Sequence, residues 1–273
     1  MWRQLQDTEE KKYMNRIESA FKNKKAFIPF ITAGYPNINK TEDFIYKMVS
    51  AGADLIEIGI PFSDPVAEGP VIQESSQKAL EEGTNLDNIF ELVKKVRKTV
   101  TIPLVFMTYV NPVFRYGYDN FFKQCSLIGI DGIIIPDLPF EEKNEISEYA
   151  KKYDVKIVSL IAPTSEKRIE EIAKEAEGFL YIVSSMGVTG VRNEIKTDLK
   201  SILESVRNTT KVPAAIGFGI HSPEQAKDMS KISDGVIVGS AIIKIIKQYG
   251  TKADDYIYDY VKSMKNAIIN LTY

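Results

Sequence analysis

Short runs of β-branched and other apolar residues alternate with longer stretches in which apolar positions recur every three or four residues. The short runs predict eight strands, over 26–32, 54–58, 104–108, 132–135, 156–161, 179–183, 214–217 and 235–238. Several of them, such as Ile133-Ile134-Ile135, are apolar without interruption. That is the pattern of strands covered on both faces, and it argues for a parallel sheet rather than a half-exposed antiparallel one. Asn37, Ser165 and Ser222 stand where helix N-caps are expected, the last with Pro223 at the first helical position. In the stretch that Ser165 opens, Ile169, Ile172, Ala173 and Ala176 fall on one helical face, and Glu166, Lys167, Glu170 and Glu171 fill the other. A further helix over 4–23 precedes the first strand, and two, over 240–248 and 253–270, follow the last.

Eight successive βα units in 273 residues predict a closed (β/α)8 (TIM) barrel spanning 1–273 as one domain. An open doubly wound sheet is the alternative. Gly217-Phe218-Gly219 begins a dinucleotide fingerprint, but Ser222 occupies the place of its third glycine, and no P-loop motif occurs.

Composition narrows the function classes. With 44% hydrophobic and 26% charged residues the chain is ordinary for a globular protein. Its 35 basic against 37 acidic residues give a net charge of −2, without a long basic stretch, so neither nucleic acid nor an anionic membrane is an expected partner. A lone Cys125 excludes an intrachain disulfide, a lone His221 excludes a His/Cys zinc cluster, and no metal is expected. The first twenty residues have no apolar core and no apolar run has membrane-spanning length, so a soluble cytoplasmic protein is expected.

In a barrel, function collects at the C-terminal ends of the strands. Glu57 interrupts an apolar strand there. Desolvation would raise its pKa and suit it to acid/base work, while a structural strut is the competing reading. The loop Ile60-Pro61-Phe62-Ser63-Asp64-Pro65-Val66-Ala67-Glu68-Gly69-Pro70 carries two more acids, of which Asp64 reads as solvated. Glycines at three neighbouring exits, Gly187 and Gly190, Gly217 and Gly219, and Gly239 before Ser240, predict a phosphate cradle of backbone amides needing no Arg or Lys. The segment 185–197 has the length of a mobile lid, with disorder as the alternative. His221 reads as a structural residue near a helix start and Cys125 as buried and inert. Nothing in their spacing pairs them for nucleophilic catalysis.

Taken together, Leu55-Ile56-Glu57-Ile58-Gly59-Ile60-Pro61-Phe62-Ser63-Asp64-Pro65 and Gly69-Pro70-Val71-Ile72-Gln73 closely resemble the signature of the tryptophan synthase α-subunit family. So do Pro29-Phe30-Ile31-Thr32-Ala33-Gly34-Tyr35-Pro36, Ser184-Ser185-Met186-Gly187-Val188-Thr189-Gly190, Gly217-Phe218-Gly219-Ile220 and Gly239-Ser240-Ala241-Ile242. The resemblance covers nearly the whole chain in the family's order. It implies a (β/α)8 barrel that cleaves indole-3-glycerol phosphate to indole and glyceraldehyde 3-phosphate with no cofactor of its own. It implies that Glu57 is the catalytic acid/base, that Glu68 stands where the family usually has an aspartate holding the indole N–H, and that Tyr181 orients the Glu57 carboxylate. By the same resemblance Phe30, Ile134, Phe218 and Ile237 surround the indole, Gly190, Gly219, Gly239 and Ser240 hold the phosphate, and Thr189 closes the lid. A β subunit carrying pyridoxal phosphate is the implied partner, in an α2β2 heterotetramer. Asp64-Pro65 and Asn111-Pro112-Val113-Phe114 would face it. The rival readings are a sugar-phosphate epimerase or isomerase, a free-standing indole-glycerol phosphate lyase, and an inactive barrel retained as a scaffold or allosteric subunit.

Overall fold

The computed structural model describes residues 15–184, 192–217 and 219–269. Helix α1 (Arg16–Phe21) leads into β1 (Ala26–Thr32) and α2 (Ile38–Ser50). Strand β2 (Ile56–Gly59) is followed by α3 (Pro70–Glu81) and α4 (Leu86–Val96), and β3 (Leu104–Met107) by α5 (Val110–Tyr116) and α6 (Tyr118–Ile128). Then come β4 (Gly132–Ile134), α7 (Asn144–Lys152), β5 (Lys156–Ile157), β6 (Ser159–Ile161) and α8 (Glu166–Lys174). The order ends with β7 (Leu180–Val183), α9 (Arg192–Thr209), β8 (Ala214–Gly217), α10 (Pro223–Ser230), β9 (Gly235–Val238), α11 (Ser240–Tyr249) and α12 (Asp254–Ile269).

The strands are parallel and neighbour one another in the order β5-β4-β3-β2-β1-β9-β8-β7-β6. Segments β5 and β6 are one run interrupted at Val158, so the sheet closes on itself and the expected eight-stranded barrel results. The strand predicted over 156–161 is split because its beginning bonds to β4 and its end to β7, the stagger that closing a tilted sheet imposes. Val158 makes the changeover, its N–H still donating to the Ile133 carbonyl at 2.9 Å. All three predicted caps form. Asn37 accepts from the Lys40 N–H, Ser165 from Arg168, and Ser222 from Gln225 in a reciprocal capping box. Among the described residues, no helix is long and apolar enough to cross a membrane.

The lower end of the barrel is sealed by α1 and tied by carboxylates. Ile17, 1% exposed, fills the space a side chain on Gly132 would need. Asp54, predicted as the first residue of β2, stands ahead of it instead and accepts the Phe27 N–H of β1 at 2.8 Å. Asp131 accepts from the Leu104 N–H and Asp234 from the Ala214 N–H in the same way, each aspartate preceding one strand and bonding the start of its neighbour. Asp54 also meets the ammonium groups of Lys24 at 2.7 Å and of the nearly buried Lys265 of α12 at 2.5 Å. These charges answer the unpaired amides at the strand starts, where a burial cost is offset only by hydrogen bonds and ion pairing.

Candidate active site

A cavity of about 600 Å3 opens at the C-terminal ends of β1, β2, β8 and β9, a size suited to a small organic substrate. Glu57, Glu68, Tyr181, Phe30, Ile237, Gly219, Gly239 and Ser240 all line it. Strand register puts Phe30 opposite Glu57 and Glu57 opposite Val105, so these side chains share the inner face. Two glycines leave room for the large inward residues: a Cβ on Gly59 would collide with the Phe30 ring, and one on Gly217 with the Tyr181 ring.

Glu57 is 1% exposed, and among the described residues its Oε2 has no hydrogen-bond partner. Burial, followed by the charge of Glu68, pushes its pKa up to about 8. Glu68 is raised to about 7 by burial, against which a hydrogen bond from the Tyr109 hydroxyl pulls downward. One of its oxygens is also without a hydrogen-bond partner among the described residues. A carboxyl that retains its proton at neutral pH can donate it, and an adjacent one that ionises more readily can stabilise positive charge. Tyr181, 6% exposed, has its phenol acidity suppressed by burial and then by the charges of Glu57 and Glu68, so its hydroxyl stays protonated among them.

The loop carrying Glu68 is fastened from outside. Tyr109, 1% exposed just past β3, accepts the Ala67 N–H at 3.1 Å while its ring packs on Phe62 at 5.2 Å. Gln73 Nε2 donates to the Glu68 carbonyl at 2.8 Å. These contacts set where the longer glutamate side chain points, and its carboxylate meets the Tyr109 hydroxyl. Asp64 is exposed on the same loop and accepts from the Ser63 hydroxyl, in keeping with its solvated reading.

At the other end of the cavity Gly239 precedes α11 and Ser240 is its first residue, so first-turn N–H groups without intrahelical partners stand at the wall. Lys244, one turn further along α11, also lines the cavity, and among the described residues no carboxylate lies within ion-pair distance of it. The sequence reading of a cradle free of basic side chains therefore missed a cation. It also missed Tyr109 and Tyr260, the latter reaching the cavity from α12. The i, i+4 spacing of Ser240 and Lys244 was a usable signal, as was the place of Tyr109 at a strand exit; nothing local marked Tyr260.

Ile134 is wholly buried in β4 beside Met107 and does not line this cavity. A second, largely apolar cavity of about 610 Å3 shares Met107 and Tyr181 with the first, and the β4 exit contributes Ile135 and Pro136 to it. Thr189, Gly190 and Phe218 lie outside the described residues. The lid read over 185–197 is corrected in its second half, because α9 begins at Arg192. Ile195, Leu199 and Ile202 recur at helical spacing there, a periodicity that the polar residues around them obscured. Cys125 is buried and its thiol is held well above its ordinary pKa by desolvation, an inert thiol.

Comparison with known proteins gives one family. The family model described as tryptophan synthase alpha chain matches residues 17–269. The tryptophan synthase alpha chain of Lacticaseibacillus casei is 46% identical over 255 residues, covering 93% of this chain and 96% of the relative. That of Clostridium kluyveri (strain ATCC 8527) is 49% identical over 253 residues, 91% of this chain and 95% of the relative. Among solved structures, tryptophan synthase subunit alpha from Legionella pneumophila superposes with a TM-score of 0.86 at 38% identity, covering 94% of this chain and 100% of that one.

Proposed function

The chain belongs to the tryptophan synthase alpha chain family, and from that premise we propose that it is a carbon–carbon lyase acting, as one domain over 1–273, on indole-3-glycerol phosphate. The products are indole and glyceraldehyde 3-phosphate, a step of tryptophan biosynthesis. The observation that carries the reading is the buried, proton-retaining Glu57 beside the more readily ionised Glu68, with a helix N-terminus and Gly219 at the far end of the same cavity.

In this reading the phosphate lies against Gly219, Gly239 and Ser240, with Lys244 adding charge attraction. The indole packs among Phe30, Ile237 and the apolar wall towards Met107. Glu57 gives its proton to indole C3, and the positive charge that results on the ring nitrogen is balanced by ionised Glu68. The Glu57 carboxylate then takes the proton of the glycerol hydroxyl next to the ring. As that O–H electron pair becomes the aldehyde C=O, the bond to C3 breaks and its electrons restore the aromatic indole. One carboxyl thus performs both transfers, returning to its starting protonation state. Tyr181 keeps a neutral hydroxyl within the field of both acids and orients Glu57. Thr189, Gly190 and Phe218 complete the proposed site on sequence grounds alone, and Ile134, which does not line the cavity, is left out of it.

The reading extends to a partner, a β subunit holding pyridoxal phosphate, in an α2β2 assembly in the cytoplasm. Its physical support is at the barrel top, where Val66 is 79% exposed beside Asp64-Pro65 and Phe114 is 64% exposed at the end of Asn111-Pro112-Val113-Phe114. Apolar side chains in both segments expected to face the partner suit a surface that is covered on assembly.

The test is indole release from indole-3-glycerol phosphate by the purified chain, alone and with a tryptophan synthase β subunit from the same source. Slow release that accelerates with the partner supports the coupled subunit. Fast, partner-independent release indicates a free-standing lyase, and no release in either condition overturns the reading. Ser240→Asp is expected to raise the KM roughly 10- to 100-fold by setting a carboxylate against the phosphate. An unchanged KM would remove Ser240 from the cradle.

A further inference from the structure

His221 is the single histidine of the chain, and among the described residues its ring makes one hydrogen bond. Nδ1 lies 3.0 Å from the Gly219 carbonyl oxygen. A carbonyl only accepts, so Nδ1 carries the hydrogen and donates it. The backbone of the residue is anchored on both sides. Its N–H donates to Gln225 Oε1 at 2.9 Å, and its carbonyl accepts from the Tyr260 hydroxyl at 3.0 Å. Gln225 belongs to the capping box of α10 and Tyr260 to α12, so two helices fix the position from which the ring reaches back.

The peptide group that the ring holds borders the cavity. Gly219 has a φ of +74°, a region glycine enters freely, and with no side chain it has little of its own to fix the orientation of the next peptide. In a trans peptide the C=O and the following N–H point in opposite directions. Pinning the Gly219 carbonyl to the imidazole therefore turns the Ile220 N–H away from the ring. Gly219 and Ile220 both line the cavity, and among the described residues the Ile220 N–H has no acceptor.

We propose that His221 is a positioning residue for phosphate recognition: it holds the Gly219 carbonyl and so presents the Ile220 N–H to a phosphate oxygen of the substrate. The proposal rests on the lyase reading for the identity of the substrate, but what it requires of the site is affinity for a phosphate group. A donor fixed in advance does not have to be ordered during binding, which is where the gain in affinity arises. Asparagine carries an N–H donor at the branch point where histidine has Nδ1, and leucine has the bulk without the donor.

The experiment compares the full chain with His221→Leu and His221→Asn, measuring the Kd for inorganic phosphate by titration calorimetry and the KM and kcat for indole-3-glycerol phosphate. Loss of one oriented hydrogen bond predicts that His221→Leu weakens phosphate binding and raises the KM about five- to tenfold, with kcat falling by less. His221→Asn is expected to restore both to within about twofold of the unmodified chain. Phosphate affinity unchanged in His221→Leu overturns the proposal, as does an asparagine variant no better than leucine. A chain that binds phosphate in a His221-dependent way yet releases no indole supports the proposal and removes the lyase reading. Normal cleavage with His221-independent phosphate affinity does the reverse.

Discussion

Glu57→Gln is expected to lower kcat for indole-3-glycerol phosphate cleavage by about 10²- to 10⁴-fold, with KM within a few-fold of its starting value. Glutamine keeps the size and the cavity wall but neither donates a proton to carbon nor accepts one from a hydroxyl. The pH profile of kcat/KM adds a second check. Glu57 must hold a proton and is raised to about 8, so activity falls above that pH; Glu68 must be ionised and is raised to about 7, so activity falls below it. The two groups interact, so the limbs of this bell belong to the pair. Turnover unchanged in the glutamine variant would remove Glu57 from the chemistry.

The same substitution is expected to stabilise the fold. A carboxyl whose pKa rises from the ordinary 4.5 to about 8 on folding must keep its proton or ionise while buried. Its contribution is therefore intact below the unfolded pKa and lost progressively as pH rises through the folded one. At pH 7 the loss is about 3 kcal/mol, which glutamine does not incur. Thermal unfolding should place Glu57→Gln above the unmodified chain at pH 7 to 8, with the two converging near pH 4.5. A gain in stability with a loss in turnover marks a residue retained for chemistry.

The second large effect lies at the other end of the barrel. Asp54→Ala is expected to destabilise the chain by about 3–5 kcal/mol, because it leaves the Lys265 ammonium buried without its carboxylate. It also removes the acceptor of the Phe27 N–H. For a chain of this size that is a fall in Tm of about 10 °C, measured by calorimetry or circular dichroism. Indole release at a temperature where the variant is folded should be unaffected, since Asp54 stands at the strand starts and the cavity at the strand ends. A Tm within about 2 °C of the unmodified chain would contradict the role of this ion pair.

These two carboxylates stand three residues apart, and the sequence separates them only partly. Glu57 was legible because an acid inside an apolar strand invites an explanation, and the motif around it resembles one family. Asp54 was read as the start of the same strand. Its true setting depends on Lys265, more than two hundred residues away on a helix whose own pattern gives no reason to bury a lysine. The glycines and Ser240 of the candidate cradle could be read from strand exits and a helix start, which are local features. Lys244 lies in the same local frame, one turn after Ser240, but an exposed-face lysine on a helix has the same local pattern, and only the cavity distinguishes it.

What the sequence by itself determined is what short-range physics governs. Uninterrupted apolar runs demanded strands covered on both sides, the caps at Asn37, Ser165 and Ser222 started helices where they stood, and eight such units left a closed barrel as the natural arrangement. Tertiary structure alone decided which side chains share a space. Tyr109 meets Glu68 across a loop, Tyr260 reaches His221 from the last helix, and Lys265 reaches Asp54 from that same helix. Closing the sheet brings together residues far apart in the chain, and burial then sets their charge states. Neither a distance across the barrel nor the solvent lost on forming it is encoded in the spacing of residues along one strand or helix.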